Sequence, residues 1–162
     1  MKVKAQTRQE LVQYMDQVMN STYSSLTERQ ELEPDTSLVK TYLIESHLTE
    51  DTNPSDVEAF VINLSTTRLS RKRRLKVGKG TDPTLYWLST TIEREPMVVY
   101  IDVSNPRFWI LHSANRSTNL DWLIDRLIKD QNTLDRGWLW PELLERLSNR
   151  GSFRGLGLDY DR

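Results

Sequence analysis

The densest chemistry in the sequence lies at residues 68–80, RLSRKRRLKVGKG. There Arg68, Arg71, Lys72, Arg73, Arg74, Lys76 and Lys79 follow one another with no acidic residue between them. Arginine presents a planar fork of donors that matches phosphate oxygens, and lysine adds point charges on flexible stems. A run of this kind is suited to nucleic-acid phosphates. The same run can also pair with carboxylates, and Glu45, Glu50, Asp51, Asp56 and Glu58 form an acidic stretch shortly upstream. Surface pairs contribute only ~0–1 kcal/mol each, so such pairing would orient the segment more than stabilise it.

Other chemistry fails on spacing. Gly78-Lys79 invites a phosphate loop, but the position five before it holds Arg73 and the one after it holds Gly80. A Walker loop needs glycine and Ser or Thr there. No third glycine completes a dinucleotide fingerprint. The two histidines, His47 and His112, are far apart and lack metal-ligand spacing. Asp102 ends a strand pattern where a nuclease could place a metal ligand, yet the following strand RFWILHS offers no second acid. A turn residue before Ser104-Asn105-Pro106 is the better reading of Asp102. There is no cysteine nucleophile and no GxSxG elbow. His112 and Ser113 are neighbours in a strand pattern, which sends their side chains to opposite faces. The chain therefore reads as non-catalytic, with no cofactor and no metal.

Aromatic residues supply the second set of candidates. Tyr86 and Trp87 adjoin the basic run, and Phe108 and Trp109 lie on a neighbouring strand pattern. An exposed member of either pair would be a platform on which bases stack, and the alternative is that all four are core. Trp122 lies off the apolar stripe of its helix, and Trp138 and Trp140 bracket Leu139 before Pro141. These three are the candidate partner-binding residues.

Composition narrows the setting. The net charge of −1 hides an uneven distribution, because the seven clustered cations leave 15 basic and 23 acidic residues elsewhere, a balance of −8. The protein is a basic island on an acidic body. Without cysteine there are no disulfides. The N-terminus has no apolar signal segment, and no apolar run reaches membrane-spanning length, so a cytoplasmic, membrane-free protein is expected. The 162 residues fit one domain.

The elements that position these residues are read from periodicity. Thr7-Arg8-Gln9-Glu10 forms a capping box ahead of an apolar stripe at Leu11, Tyr14, Met15, Val18 and Met19. A second helix is predicted over 36–48, TSLVKTYLIESHL. Ser55 and Glu58 offer another capping box; VEAFVINL is compatible with helix or buried strand, and a helix ending before Arg68 is favoured. RRLKV and TLYWLST flank a Gly-Pro turn, and MVVYIDV and RFWILHS flank Ser104-Asn105-Pro106, which predicts two hairpins in an antiparallel meander near 73–113. Ser117 or Thr118 should cap a helix whose inward face is Leu120, Leu123, Ile124, Leu127 and Ile128. A further helix is predicted from Pro141, ending at Gly151. Residues 153–161 alternate like a strand, which either closes the sheet or marks the N-terminal part of a longer protein.

The fold expected is thus α+β: N-terminal helices, the meander, two C-terminal helices and a final strand. The function expected is a non-catalytic nucleic-acid-binding (DNA-binding or RNA-binding) module of a larger prokaryotic protein or assembly, using the cations at 68–79. The alternative is a protein-interaction or homo-oligomerisation domain built on Trp122, Trp138 and Trp140.

Overall fold

The computed structural model describes residues 3, 5–29, 38–70, 73–92, 94–137, 142, 145 and 146, with the backbone alone at 23–29, Ser70 and Arg73. The fold is α+β. Helices α1 (Arg8–Arg29), α2 (Pro54–Asn63) and α3 (Ser117–Asp130) accompany strands β1 (Lys40–Ser46), β2 (Arg68–Ser70), β3 (Arg73–Arg74), β4 (Lys76–Lys79), β5 (Leu85–Ile92), β6 (Glu95–Asp102), β7 (Phe108–Ser113) and β8 (Leu134–Arg136). Six strands form one sheet in the order β4-β5-β6-β7-β1-β8, every neighbouring pair antiparallel. Strands β2 and β3 form a separate two-stranded ribbon. No described helix is long and apolar enough to cross a membrane.

Strand alternation sorts the sheet into two faces. One carries Ile44, Leu88, Val99, Ile101, Trp109 and Leu111, and against it pack Val57, Val61 and Leu64 with the predicted α3 stripe of Leu120, Leu123, Ile124 and Leu127. The other carries Leu85, Trp87, Val98 and Tyr100 beneath Leu11, Tyr14 and Met15 of α1. Trp109, 1% exposed, sits edge-tilted against Phe60 with its indole N–H donating to the Pro106 carbonyl at 2.8 Å. That bond lets a polar ring edge be buried without loss.

The helix starts differ in how they are made. At α1 the capping box is present: the Glu10 amide donates to Thr7 Oγ1 at 3.1 Å, and Glu10 Oε2 accepts from the Gln6 amide at 2.7 Å and the Thr7 amide at 3.3 Å. At α2 the predicted Ser55–Glu58 box is absent. Asn53 is the N-cap and Pro54 occupies the first turn, where a missing N–H costs nothing. The α3 cap is Arg116 and not Ser117 or Thr118, without a side-chain capping bond.

The helix predicted over 36–48 is a strand. Residues 40–46 pair with β7 along six positions, Lys40↔Ser113 to Glu45↔Phe108, and with β8 on the other side. A nearly continuous apolar run fits a buried strand as well as a helix, and the slot between β7 and β8 decides it. The meander β4 to β7 stands as expected, with one change. Arg73-Arg74 does not extend β4 but turns back on β2, so the chain changes partner at Leu75. The helix predicted from Pro141 falls largely outside the described residues, and the strand predicted at 153–161 lies wholly outside them.

Arg8, the first residue of α1, ties that helix to the sheet. Its guanidinium donates to both oxygens of Asp102, at 2.6 and 2.8 Å, and to the hydroxyls of Thr84 and Ser104; its amide donates to Asp82 at 2.7 Å. Burial pushes the Asp102 carboxyl up, but hydrogen bonds from Arg8 and Ser104 outweigh it and hold the group below the usual carboxylate value. The unfolded chain then binds that proton more tightly than the folded one. The stabilisation is complete above about pH 4 and is lost as pH falls through the lowered folded value.

Two outcomes follow. Asp102→Asn should cost about 1–2 kcal/mol at neutral pH, discounted because Arg8 is 43% exposed, and should flatten the acid limb of the stability curve. Thermal melts from pH 7 down to about 3 test this, and identical acid limbs in both proteins would refute it. Gly78 lies directly over the Trp87 ring, so that an added Cβ would overlap its benzo edge. Gly78→Ala should therefore lower stability by about 1–3 kcal/mol in urea unfolding, and an unchanged midpoint would mean the ring can move aside.

Candidate nucleic-acid interface

The basic run begins where the 3-10 turn Leu64–Thr66 ends α2 and the chain enters β2. Leu69 and Leu75 are 2% and 3% exposed and belong to the main core. Their neighbours alternate outward, and Arg68, Arg74 and Lys76 are exposed. Arg68 and Arg74 are direct cross-strand partners, with a register shift between Arg68 and Ser70. Like charges placed opposite one another repel, so this arrangement is destabilising unless an anion sits between them. Among the described residues, no carboxylate lies within ion-pair distance of Arg68, Arg74 or Lys76. The backbone is held from the body side: the Arg68 amide donates to Asp130 at 3.4 Å, and Thr90 Oγ1 donates to the Arg74 carbonyl at 3.4 Å.

Lys79 stands apart from this group. It faces Tyr86 across the β4–β5 pair, and its ammonium meets Glu58 Oε2 of α2 at 2.5 Å and lies 5.7 Å from the Tyr86 ring. The bond to Glu58 raises the lysine above its ordinary value. Lys76 is opposite Ser89, on the other face of the sheet. The structure thus pairs Arg68 with Arg74 across the ribbon, leaves Lys76 exposed at the start of β4, and turns Lys79 to the other face of the sheet. Arg71 and Lys72 lie outside the described residues, as does the Arg73 side chain. Of the upstream acids, Glu58 alone meets the run among the described residues, while Glu45 pairs with Arg107 at 2.6 Å.

Two of the four strand aromatics are core and two are partly exposed. Tyr86 and Trp109 are buried at 2% and 1%. Trp87 is half-buried against the α1 side of the sheet, and half-buried Phe108 has the Arg107 guanidinium 5.1 Å from its ring. Trp122 is half-buried against the main core, with Arg126, one helical turn on, 6.0 Å over its ring. Trp138 and Trp140 lie outside the described residues.

The remaining chemical candidates are occupied. Asp102 is held by Arg8 and closes an Asx turn, its Oδ1 accepting from the Ser104 amide at 2.8 Å. His112 Nδ1 lies 2.9 Å from Thr41 Oγ1, and burial pushes the imidazole down, Asp102 opposing. Ser113, on the other face, donates to the Val98 carbonyl at 2.8 Å. Among the described residues no three His, Asp or Glu side chains are grouped to hold a metal ion. A polar network that sequence reading missed joins Tyr42, Asp121, Arg136 and Asp125: the tyrosine hydroxyl donates to Asp121, and Arg136 meets Asp125 at 2.6 Å. Burial, with Asp121, raises the Tyr42 hydroxyl far above its ordinary value. It fastens β1 and β8 to α3, and no local pattern announces it.

Comparison with known proteins gives a family and no activity. The uncharacterized protein MJECL33 of Methanocaldococcus jannaschii is 27% identical over 156 residues, which cover 95% of this chain and 34% of the relative. The chain therefore spans about a third of that relative's length. No solved structure matches. The MJECL33-like protein model matches residues 1–162, and the chain belongs to that family.

Proposed function

We propose that this protein is a non-catalytic nucleic-acid-binding module, part of a larger prokaryotic protein or assembly, that holds phosphates through the basic segment at 68–76. The observation that carries the reading is the exposed trio of Arg68 and Arg74 on the β2–β3 ribbon and Lys76 at the start of β4, flanking the buried Leu69 and Leu75. Two arginines opposed across a ribbon with no carboxylate between them present converging forks to one anion. Arg71, Lys72 and Arg73 join the same segment by sequence and add charge to it. Contacts of this kind position a backbone and carry no sequence information. Lys79, paired with Glu58, contributes nothing to the site in this reading.

The test is a salt titration by fluorescence anisotropy. Each phosphate neutralised on duplex DNA contributes a log–log slope of about −0.9, so three to four contacts give roughly −3 to −4. Arg68→Gln/Arg74→Gln should make the slope shallower by up to about two units, whereas Lys79→Gln should leave it unchanged. Both sets of changes are exposed and should alter stability by no more than about 0.5 kcal/mol, which a melt confirms. Absence of binding at low salt to duplex DNA, single-stranded DNA and RNA alike, or a slope that ignores the double substitution, would overturn the proposal.

A further inference from the structure

We infer that the basic ribbon takes a double-stranded nucleic acid in preference to a single strand, holding paired phosphate backbones and leaving the bases unread. This rests on the proposal that Arg68, Arg74 and Lys76 bind phosphates, and it adds which form of nucleic acid the site accepts. Proteins that hold single strands combine a basic groove with exposed aromatic rings, and each stacked base is worth ~1–3 kcal/mol. The ribbon has the first half of that arrangement and, among the described residues, no fully exposed aromatic ring supplies the second. Tyr86, on the strand next to β4, is 2% exposed and packs into the main core. Trp87, its neighbour, is half-buried, with Gly78 against its ring on the β4 side and the α1 cluster on the helix side. Phe108 lies on β7, three strands from β4, about 14 Å away across the sheet, and already carries Arg107 over its ring. The large hydrophobic side chains that are exposed among the described residues are Val12, Ile62 and Ile110, none of them aromatic.

A site with cations and no stacking surface is left with charge alone, and its preference then follows the charge density of the ligand. Duplex DNA carries a charge every 1.7 Å or so of axis, against about 3.4 Å for each strand. Each contact releases about 0.9 counterion from a duplex and about 0.7 from a single strand. At three contacts the exponents differ by about 0.6, which in about 50 mM salt amounts to a preference of roughly fivefold.

The experiment is competition anisotropy with the full chain and four unlabelled competitors of about 20 nucleotides or base pairs: duplex DNA, the same duplex scrambled, duplex RNA and oligo-dT. The expected result is that both DNA duplexes compete equally and at least about fivefold better than oligo-dT. Arg68→Gln/Arg74→Gln, or Lys76→Gln if the pair impairs folding, should weaken the duplex most. Trp87→Leu should leave oligo-dT binding where it was. Equal or tighter binding of oligo-dT, or its loss on Trp87→Leu, overturns the duplex inference while the phosphate reading stands. Failure of every competitor and of the labelled probe overturns both. Duplex RNA above duplex DNA would keep the inference and identify the A-form helix as the ligand.

Discussion

Leu69 and Leu75, both almost wholly buried in the main core, bind the basic segment to the body, and the alternation of side chains along an extended backbone sends Arg68, Arg74 and Lys76 to solvent. Burying a leucine is worth about 1.5–3 kcal/mol, so the two together supply several. Opposed arginines on a two-stranded ribbon cost about 0.2–1 kcal/mol, less where salt screens them. Apolar burial wins, and the ribbon keeps a repulsive pair that it would otherwise shed. The ribbon itself, three residues on one strand and two on the other, is too short to stand alone. Its geometry is borrowed from the core beneath it.

What the sequence disclosed and what it hid divide along the distance between partners. The α1 capping box is a contact between residues three or four apart, and Thr7 and Glu10 meet as their spacing implies. The α3 stripe is equally local: Leu120, Leu123, Ile124 and Leu127 are the buried residues of that helix. The hairpins were legible because Gly80, Pro83 and Pro106 punctuate them. By contrast, β1 reads as helix or strand with equal ease until Lys40–Glu45 is set against β7, some 70 residues away. The change of partner at Leu75 was equally hidden, since RRLKV looks like one strand and becomes two. The split of the basic run could be guessed only in part. An acidic stretch upstream signalled that some cation would be paired, but only the packing of α2 against β4 singles out Lys79 and Glu58.

The Arg8–Asp102 pair shows how a residue with catalytic promise is put to structural use. A carboxylate at the end of a central strand is where open sheets often place chemistry, but here both oxygens accept from one guanidinium and one also from Ser104. Arg8 also reaches Thr84 with its side chain and Asp82 with its backbone amide, both in the loop between β4 and β5, so a single residue joins the start of α1 to two loops at one end of the sheet. Such a clamp fixes the N-terminal helix over Leu85, Trp87 and Tyr100.

The charge on the rest of the molecule sharpens the reading of the ribbon. Outside residues 68–79 the balance is −8, which disfavours a polyanion over the rest of the molecule as a whole. At physiological salt that repulsion reaches only about 8 Å, roughly the length of an arginine side chain and a little more. If the proposal holds, a phosphate backbone would approach where Arg68, Arg74 and Lys76 are exposed. In the proposed reading, the acidic balance of the rest of the chain would lower total affinity and favour binding at the basic segment beside β4, which ends the strand order. A module of this kind would hold its ligand weakly and in one orientation, which suits a part that works beside other binding surfaces more than one that must hold nucleic acid alone.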